Sequence, residues 1–309
     1  MTIRPRFRSV FHGCSSVART SWLSLTTTLF FTLATAAETG IDTKLFEYDS
    51  TKPLGVDEKI VKESPDFTIT NVSFDGGRGD RASGHFVAPR NKQKHPVIIF
   101  SHELGASRTE FLNEAIQLAR TGKGAASLLI DAPWAKQKPW QLRLDPALPN
   151  NDRELQFVAI ANLRRAVDFL TSQPGVDKHS IAFVGHSFGA NWGSILTAVE
   201  PRIGTFVLMA GVPSATASLL KEGGFSRDYV DSIRPFDPDV YLPHLKNKKM
   251  FLQFARYDLS VPASEGERFI NLIPGSKKSA WYDCGHEMLD PAAIKERVAF
   301  LIDVLSLQK

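Results

Sequence analysis

From residue 96 onward, short apolar runs alternate with longer stretches whose apolar residues recur every three or four positions. PVIIFSH (96–102), ASLLIDA (126–132), SIAFVGH (180–186), GTFVLMAG (204–211) and KMFLQFAR (249–256) are nearly continuous apolar runs. That pattern predicts strands buried on both faces. KKSAWYDC (277–284) reads as one more strand. The stretches between them predict helices around 109–122, over 152–173, from Phe188 to Glu200, near 264–272 and over 290–307. For the second of these, Asp152 is the expected N-cap and Pro174 the stop.

The start of the chain reads differently. FTITNVSF (67–74) alternates and is β-branched, ASGHFVAP (82–89) follows, and GGRGDR (76–81) joins them as a turn, which predicts a hairpin. Residues 37–65 are polar and mixed and read as an extended lead-in. Residues 212–248, between two predicted strands, form an insertion of helices and loops long enough for a small lid. The sum is an α/β chain with one domain over 66–309. It has a mostly parallel sheet, helices on both faces and antiparallel N-terminal strands.

Charge changes the picture only at the N-terminus. The formal net charge is +4, from 37 Lys+Arg and 33 Asp+Glu. Residues 1–36 hold Arg4, Arg6, Arg8 and Arg19 and no acid, so the rest of the chain is balanced and gives no electrostatic case for nucleic acid. In that leader the basic residues precede an apolar stretch, Trp22 to Leu33, and Ala34-Thr35-Ala36 fits a small-x-small cleavage site. This is the layout of a signal peptide over 1–36, with a secreted or periplasmic product that keeps no membrane span; a mitochondrial transit peptide is the rival. Cys14 and Cys284 are the two cysteines, so cleavage leaves Cys284 alone and no internal disulfide. No Cys/His cluster has zinc-like spacing and no carboxylate run suits calcium, so no metal or other cofactor is expected.

The candidate chemistry lies in VGHSFGAN (184–191). Gly185, Ser187 and Gly189 alternate between a predicted buried strand and a predicted helix. A serine lifted by such a turn needs small neighbours, and the backbone N–H of Phe188 then faces a developing oxyanion. Serine also needs a base, and the base needs a carboxylate. FARYDLSVP places Asp258 after one strand, and WYDCGHEM places His286 after the next. Asp237, Asp239 and Asp283 are the other nearby acids. The first two sit beside prolines and read as turn formers, while Asp283 is too close in sequence to His286 to be its usual partner.

Over residues 80–308 the chain resembles the α/β-hydrolase superfamily. The resemblance implies Ser187 as nucleophile, Asp258 as acid and His286 as base. IIFSHELGAS (98–107) resembles that superfamily's oxyanion loop, where His-Gly-x-Gly is usual and this chain has His102-Glu103-Leu104-Gly105. The second oxyanion N–H then comes from Leu104, or from Glu103 if the loop is shifted by one. The His-Glu pair is similar to dienelactone hydrolases, whose Glu contacts the nucleophile and whose nucleophile is Cys. The run around LGASRT, with GHSFG, is similar to platelet-activating-factor acetylhydrolases. His102 is expected to brace the oxyanion loop. Glu103 is either a solvated loop acid or a modulator in the site, and Trp134 and Trp140 are expected in a pocket wall. The implied activity is hydrolysis of a small-molecule carboxylic ester, with thioesters, lactones and peptides as alternatives and a non-catalytic binding protein of this fold as the last; the sequence leaves oligomeric state open.

Overall fold

In a computed structural model, residues 41–136 and 151–308 are described. The leader and Trp140 lie outside them. The described residues form one nine-stranded sheet. Its strands are β1 (Asp57–Glu63), β2 (Phe67–Asp75), β3 (Arg81–Pro89), β4 (His95–Ser101), β5 (Ala126–Ile130), β6 (Val176–His186), β7 (Thr205–Met209), β8 (Lys249–Ala255) and β9 (Lys278–Tyr282). They lie in the order β1-β2-β3-β5-β4-β6-β7-β8-β9. The β1–β2, β2–β3 and β3–β5 pairs are antiparallel, and every pair from β5 through β9 is parallel.

Burial follows the pattern along the chain. β4, β5 and β7 are buried at every position, while β2 and β3 mix buried with half-buried residues. Helices cover both faces. On one side α1 (Leu112–Arg120) and α7 (Pro291–Val304) pack Ala115, Leu118, Val298 and Leu301 against Ile98, Phe100 and Val184. On the other, α2 (Asp152–Ser172), α3 (Phe188–Val199) and α6 (Ala263–Leu272) pack Ile160, Val167, Ile195 and Phe269 against Ile99, Phe183 and Leu208. The alternating strands point their side chains to these two cores in turn.

Three expectations need correction. Residues 41–65 are not an extended lead-in. Thr43–Phe46 forms a 3-10 turn that buries Phe46 against Phe157, Phe236 and Tyr241, and β1 adds an edge strand to β2. All seven residues of β1 are exposed, so no apolar alternation marks it. The N-cap of α2 is Asn151, whose side chain accepts from the Glu154 N–H at 2.9 Å; Asp152 is the first helical residue. Asn151 alone has the extended backbone from which a cap reaches back to the first turn.

The third correction concerns Asp237, which is more than a turn former. It lies in the 212–248 insertion, together with α4 (Ala215–Glu222) and α5 (Arg227–Ile233). Its carboxylate is almost fully buried and accepts from the Ser214 hydroxyl at 2.7 Å and the Ala215 and Thr216 N–H groups at 2.8 and 3.2 Å. Thr216 Oγ1 and Arg234 also reach it. An acid at the start of α4 thus ties the later part of the insertion to its beginning. Later in the insertion Tyr241 and Leu242 are buried in the main core, so only α4 and α5 stand as a lid. No helix among the described residues is long and apolar enough to cross a membrane.

Candidate active site

Every parallel strand ends at the same edge of the sheet, and the candidate residues follow those ends: His102 to Leu104 after β4, Ser187 after β6, Asp258 after β8 and His286 after β9. Loops at the carboxyl edge of such a sheet form its binding crevice.

Ser187 sits between β6 and α3 with φ 54° and ψ −110°, a conformation rare for any residue but glycine. The glycines on either side are there because the turn leaves no room. A Cβ on Gly185 would lie 2.3 Å from the Gly189 carbonyl oxygen, and one on Gly189 would lie 2.2 Å from that of Ser101. The second contact presses the end of β4 against the first turn of α3. The loop that follows β4 is thereby held beside the serine. Ser187 is anchored in turn by its own N–H, which donates to the Met209 carbonyl at 2.8 Å.

Ser187 Oγ lies 2.9 Å from His286 Nε2, and His286 Nδ1 lies 2.8 Å from Asp258 Oδ2. A carboxylate only accepts, so Nδ1 carries the proton, and Nε2 is left to accept from the serine hydroxyl. The other Asp258 oxygen accepts from the Ser260 and Val261 N–H groups, both at 2.7 Å. Burial alone raises the Asp258 pKa, but the His286 hydrogen bond and charge and these two N–H groups hold it below the ordinary value. For His286, burial works downward. The Asp258 hydrogen bond and charge, followed by the charges of Glu103 and Glu287, outweigh it and raise the pKa. Asp283 points away, pairing with Arg256 at 3.0 Å on the surface, and Asp239 pairs with Arg234.

The loop after β4 is wired in place. His102 Nε2 accepts from the Ala132 N–H at 2.9 Å, so Nδ1 is protonated and donates to the Glu103 carbonyl at 2.6 Å. The Glu103 N–H donates to Glu110 Oε2 at 3.0 Å. It is therefore engaged, whereas the N–H of Leu104 has no protein acceptor among the described residues. Phe188 is the first residue of α3, where an N–H has no acceptor within the helix.

The place of His186 before the serine predicts packing rather than reaction, and no sequence pattern singles out Glu110. His186 Nδ1 lies 2.6 Å from Glu110 Oε1, and its Nε2 lies 2.7 Å from the His286 carbonyl oxygen. A carbonyl cannot donate, so Nε2 is the donor in the second of these contacts. One buried imidazole thus joins the backbone of the histidine loop to the carboxylate that holds the Glu103 N–H. The pairing spans 76 positions in sequence, and no spacing rule reaches that far.

Glu103, Leu104, Ser187, Phe188 and His286 line one pocket. The Glu103 side chain turns over Gly105, where an added Cβ would meet its Oε1 at 3.1 Å. Trp134 is buried, packs against Phe188 and Trp192 at 5.1 Å between ring centroids, and donates its indole N–H to the Leu104 carbonyl at 3.3 Å. It forms part of an adjoining cavity. Cys284 is half-buried, and burial pushes its thiol pKa up. Among the described residues no group of His, Cys, Asp and Glu is placed to hold a metal.

Residues 158–251 match the family model described as BAAT / Acyl-CoA thioester hydrolase C terminal. No curated protein matches the sequence. Among solved structures, an acetyl xylan esterase from Paenibacillus sp. R4 is similar, with a TM-score of 0.67 at 20% identity over 84% of this chain and 91% of that one. A dienelactone hydrolase from Anabaena variabilis gives 0.56 at 21% identity over 78% and 98%. A cold-adapted esterase from an Arctic intertidal metagenomic library gives 0.58 at 16% identity over 80% and 97%.

Proposed function

We propose that the chain, which has the α/β-hydrolase fold, acts as a serine hydrolase on carboxylic esters. The observation that carries this reading is the hydrogen-bonded line Ser187–His286–Asp258, with the serine in a strained turn. In this reading His286 takes the hydroxyl proton as Ser187 Oγ attacks the ester carbonyl. The charge developing on the carbonyl oxygen is met by the N–H groups of Phe188 and Leu104. Glu103 is passed over as donor because Glu110 already holds its N–H. His286 then protonates the departing alcohol, and the acyl group stays on Ser187. Water, losing a proton to the same imidazole, attacks the acyl carbonyl; the acyl group leaves as the carboxylic acid and His286 returns the proton to Ser187 Oγ.

A second reading, thioester hydrolysis on the same residues, is favoured by the family model matched at 158–251. A panel of oxygen esters, thioesters, lactones and amides separates the two readings by kcat/KM. Ser187→Ala tests both. Turnover should fall on the order of a million-fold while the fold survives, the scale of other nucleophile removals. Retention of a tenth of wild-type activity would remove Ser187 from the reaction.

A further inference from the structure

A cavity of about 240 Å³ adjoins the catalytic pocket and shares Phe188, Val212, Ala215 and Ser260 with it. Its far wall is made by Trp134 and, from the lid, by Leu219, Phe225, Tyr229 and Ile233. Two of the polar side chains on its wall are already paired. The Tyr229 hydroxyl donates to Asp152 Oδ2 at 3.3 Å, and Gln156 accepts from the Trp192 indole. Burial, with the charge of Asp152, keeps the Tyr229 phenol protonated well above neutral pH. An entering group therefore meets chiefly carbon, beside a carboxylate that disfavours a second anion.

We propose that this cavity receives an uncharged apolar portion of the substrate, attached close to the scissile carbonyl and containing roughly six to ten carbon atoms, on the scale where about 150 Å³ holds benzene. The substrate class is then a medium-chain or aryl-bearing ester, not a simple acetate. This rests on the serine-hydrolase reading. Lid residues, and not the residues around Ser187, set the length of the group. Full burial of one methylene gives about fourfold in binding, so six added methylenes leave ample room for a measurable preference even where burial is partial.

The test uses two ester series on the purified chain. One lengthens the acyl group of p-nitrophenyl esters from two to eight carbons, and the other lengthens the alcohol of acetate esters over the same range. A rise in kcat/KM of at least about tenfold in one series is expected, and that series identifies which side of the ester occupies the cavity. Leu219→Trp and, separately, Ile233→Trp should each cut the eight-to-two-carbon ratio by about tenfold. The ratio cancels any common loss from poor folding, and the wild-type series stands without either variant. Flat profiles in both series, or a preference for a choline ester over its neutral isostere, would overturn the proposal. Labelling of Ser187 by ethyl and octyl fluorophosphonates separates the two levels. No labelling by either reagent removes the hydrolase reading and the proposal with it. Equal labelling rates for the two remove only the apolar cavity.

Discussion

The two sides of the proposed catalytic pocket are built by opposite means. On one side His102, Glu103, Glu110 and His186 are joined through hydrogen bonds of 2.6 to 3.0 Å, and a backbone group of the histidine loop is part of the chain. On the other, α4 and the segments flanking it present Val212, Ala215, Leu219 and Phe225, held by packing and by the buried Asp237 behind them. Hydrogen bonds fix direction as well as distance, and they fail steeply when bent. Apolar contacts tolerate displacement and respond to volume. The first wall is suited to holding reacting atoms to a fraction of an ångström, and the second to choosing what fits beside them.

The contrast predicts different kinetic losses. Asp258→Asn, which breaks the line behind His286, should cost about 10⁴-fold in kcat because the imidazole loses the carboxylate that sets its tautomer. Asp283→Asn, whose carboxylate sits on the surface with Arg256, should stay near wild type. Steady-state kinetics on both variants checks the assignment, and a reversal would exchange the two acids.

Glu110→Ala removes the acceptor of the Glu103 N–H and the partner of His186 together. Displacement of the oxyanion loop on that scale is expected to cost about 100-fold in kcat with little change in KM. Glu110→Gln keeps an acceptor for the N–H and should recover most of the loss. If Gln behaves like Ala, the wiring does not position the loop.

On the apolar wall, Leu219→Ala should act mainly on KM, raising it about threefold to tenfold for an eight-carbon ester, because it removes contact made before and during reaction alike. Loss confined to kcat would erase the distinction between the walls.

The smallest expected effect concerns pH. In the proposed reaction His286 must be neutral to act as base, and its pKa is raised, so kcat/KM should fall as pH drops through a point above the ordinary histidine value. The charge of Glu103 contributes to that rise. Glu103→Gln should therefore move the acid limb to lower pH. A pH–rate profile from pH 5 to 9 (roughly the window in which a perturbed histidine titrates) measures it, and an unmoved limb returns Glu103 to the role of a solvated loop acid.

What could be read in advance follows the reach of each signal. β4 to β8 were legible because burial on both faces leaves runs such as VIIF and AFV, and the serine turn because the glycines of VGHSFGAN answer contacts of 2.2 and 2.3 Å. β1 was not, since an exposed edge strand has no apolar alternation to display. Asn151 and Asp152 are both good caps, and only the backbone chooses between them. Glu110 and His186 meet through the fold alone, as do the lid residues of the cavity. Their role depends on distances that a linear pattern does not encode.

That same edge strand bears on how the chain behaves outside its reaction. β1 carries Asp57, Glu58, Lys59, Lys62 and Glu63, and its register slips between Ile60 and Lys62. Charge and an irregular ladder make it a poor template for another chain. β2 beneath it pairs with β3 in unbroken register over nine residues and includes the run TITNVSF. A chain trimmed to begin near residue 66 would bare that regular strand, and with it a surface on which copies can stack into insoluble sheets. The first segment of the described domain thus guards solubility, from the far end of the sheet's strand order and away from the serine.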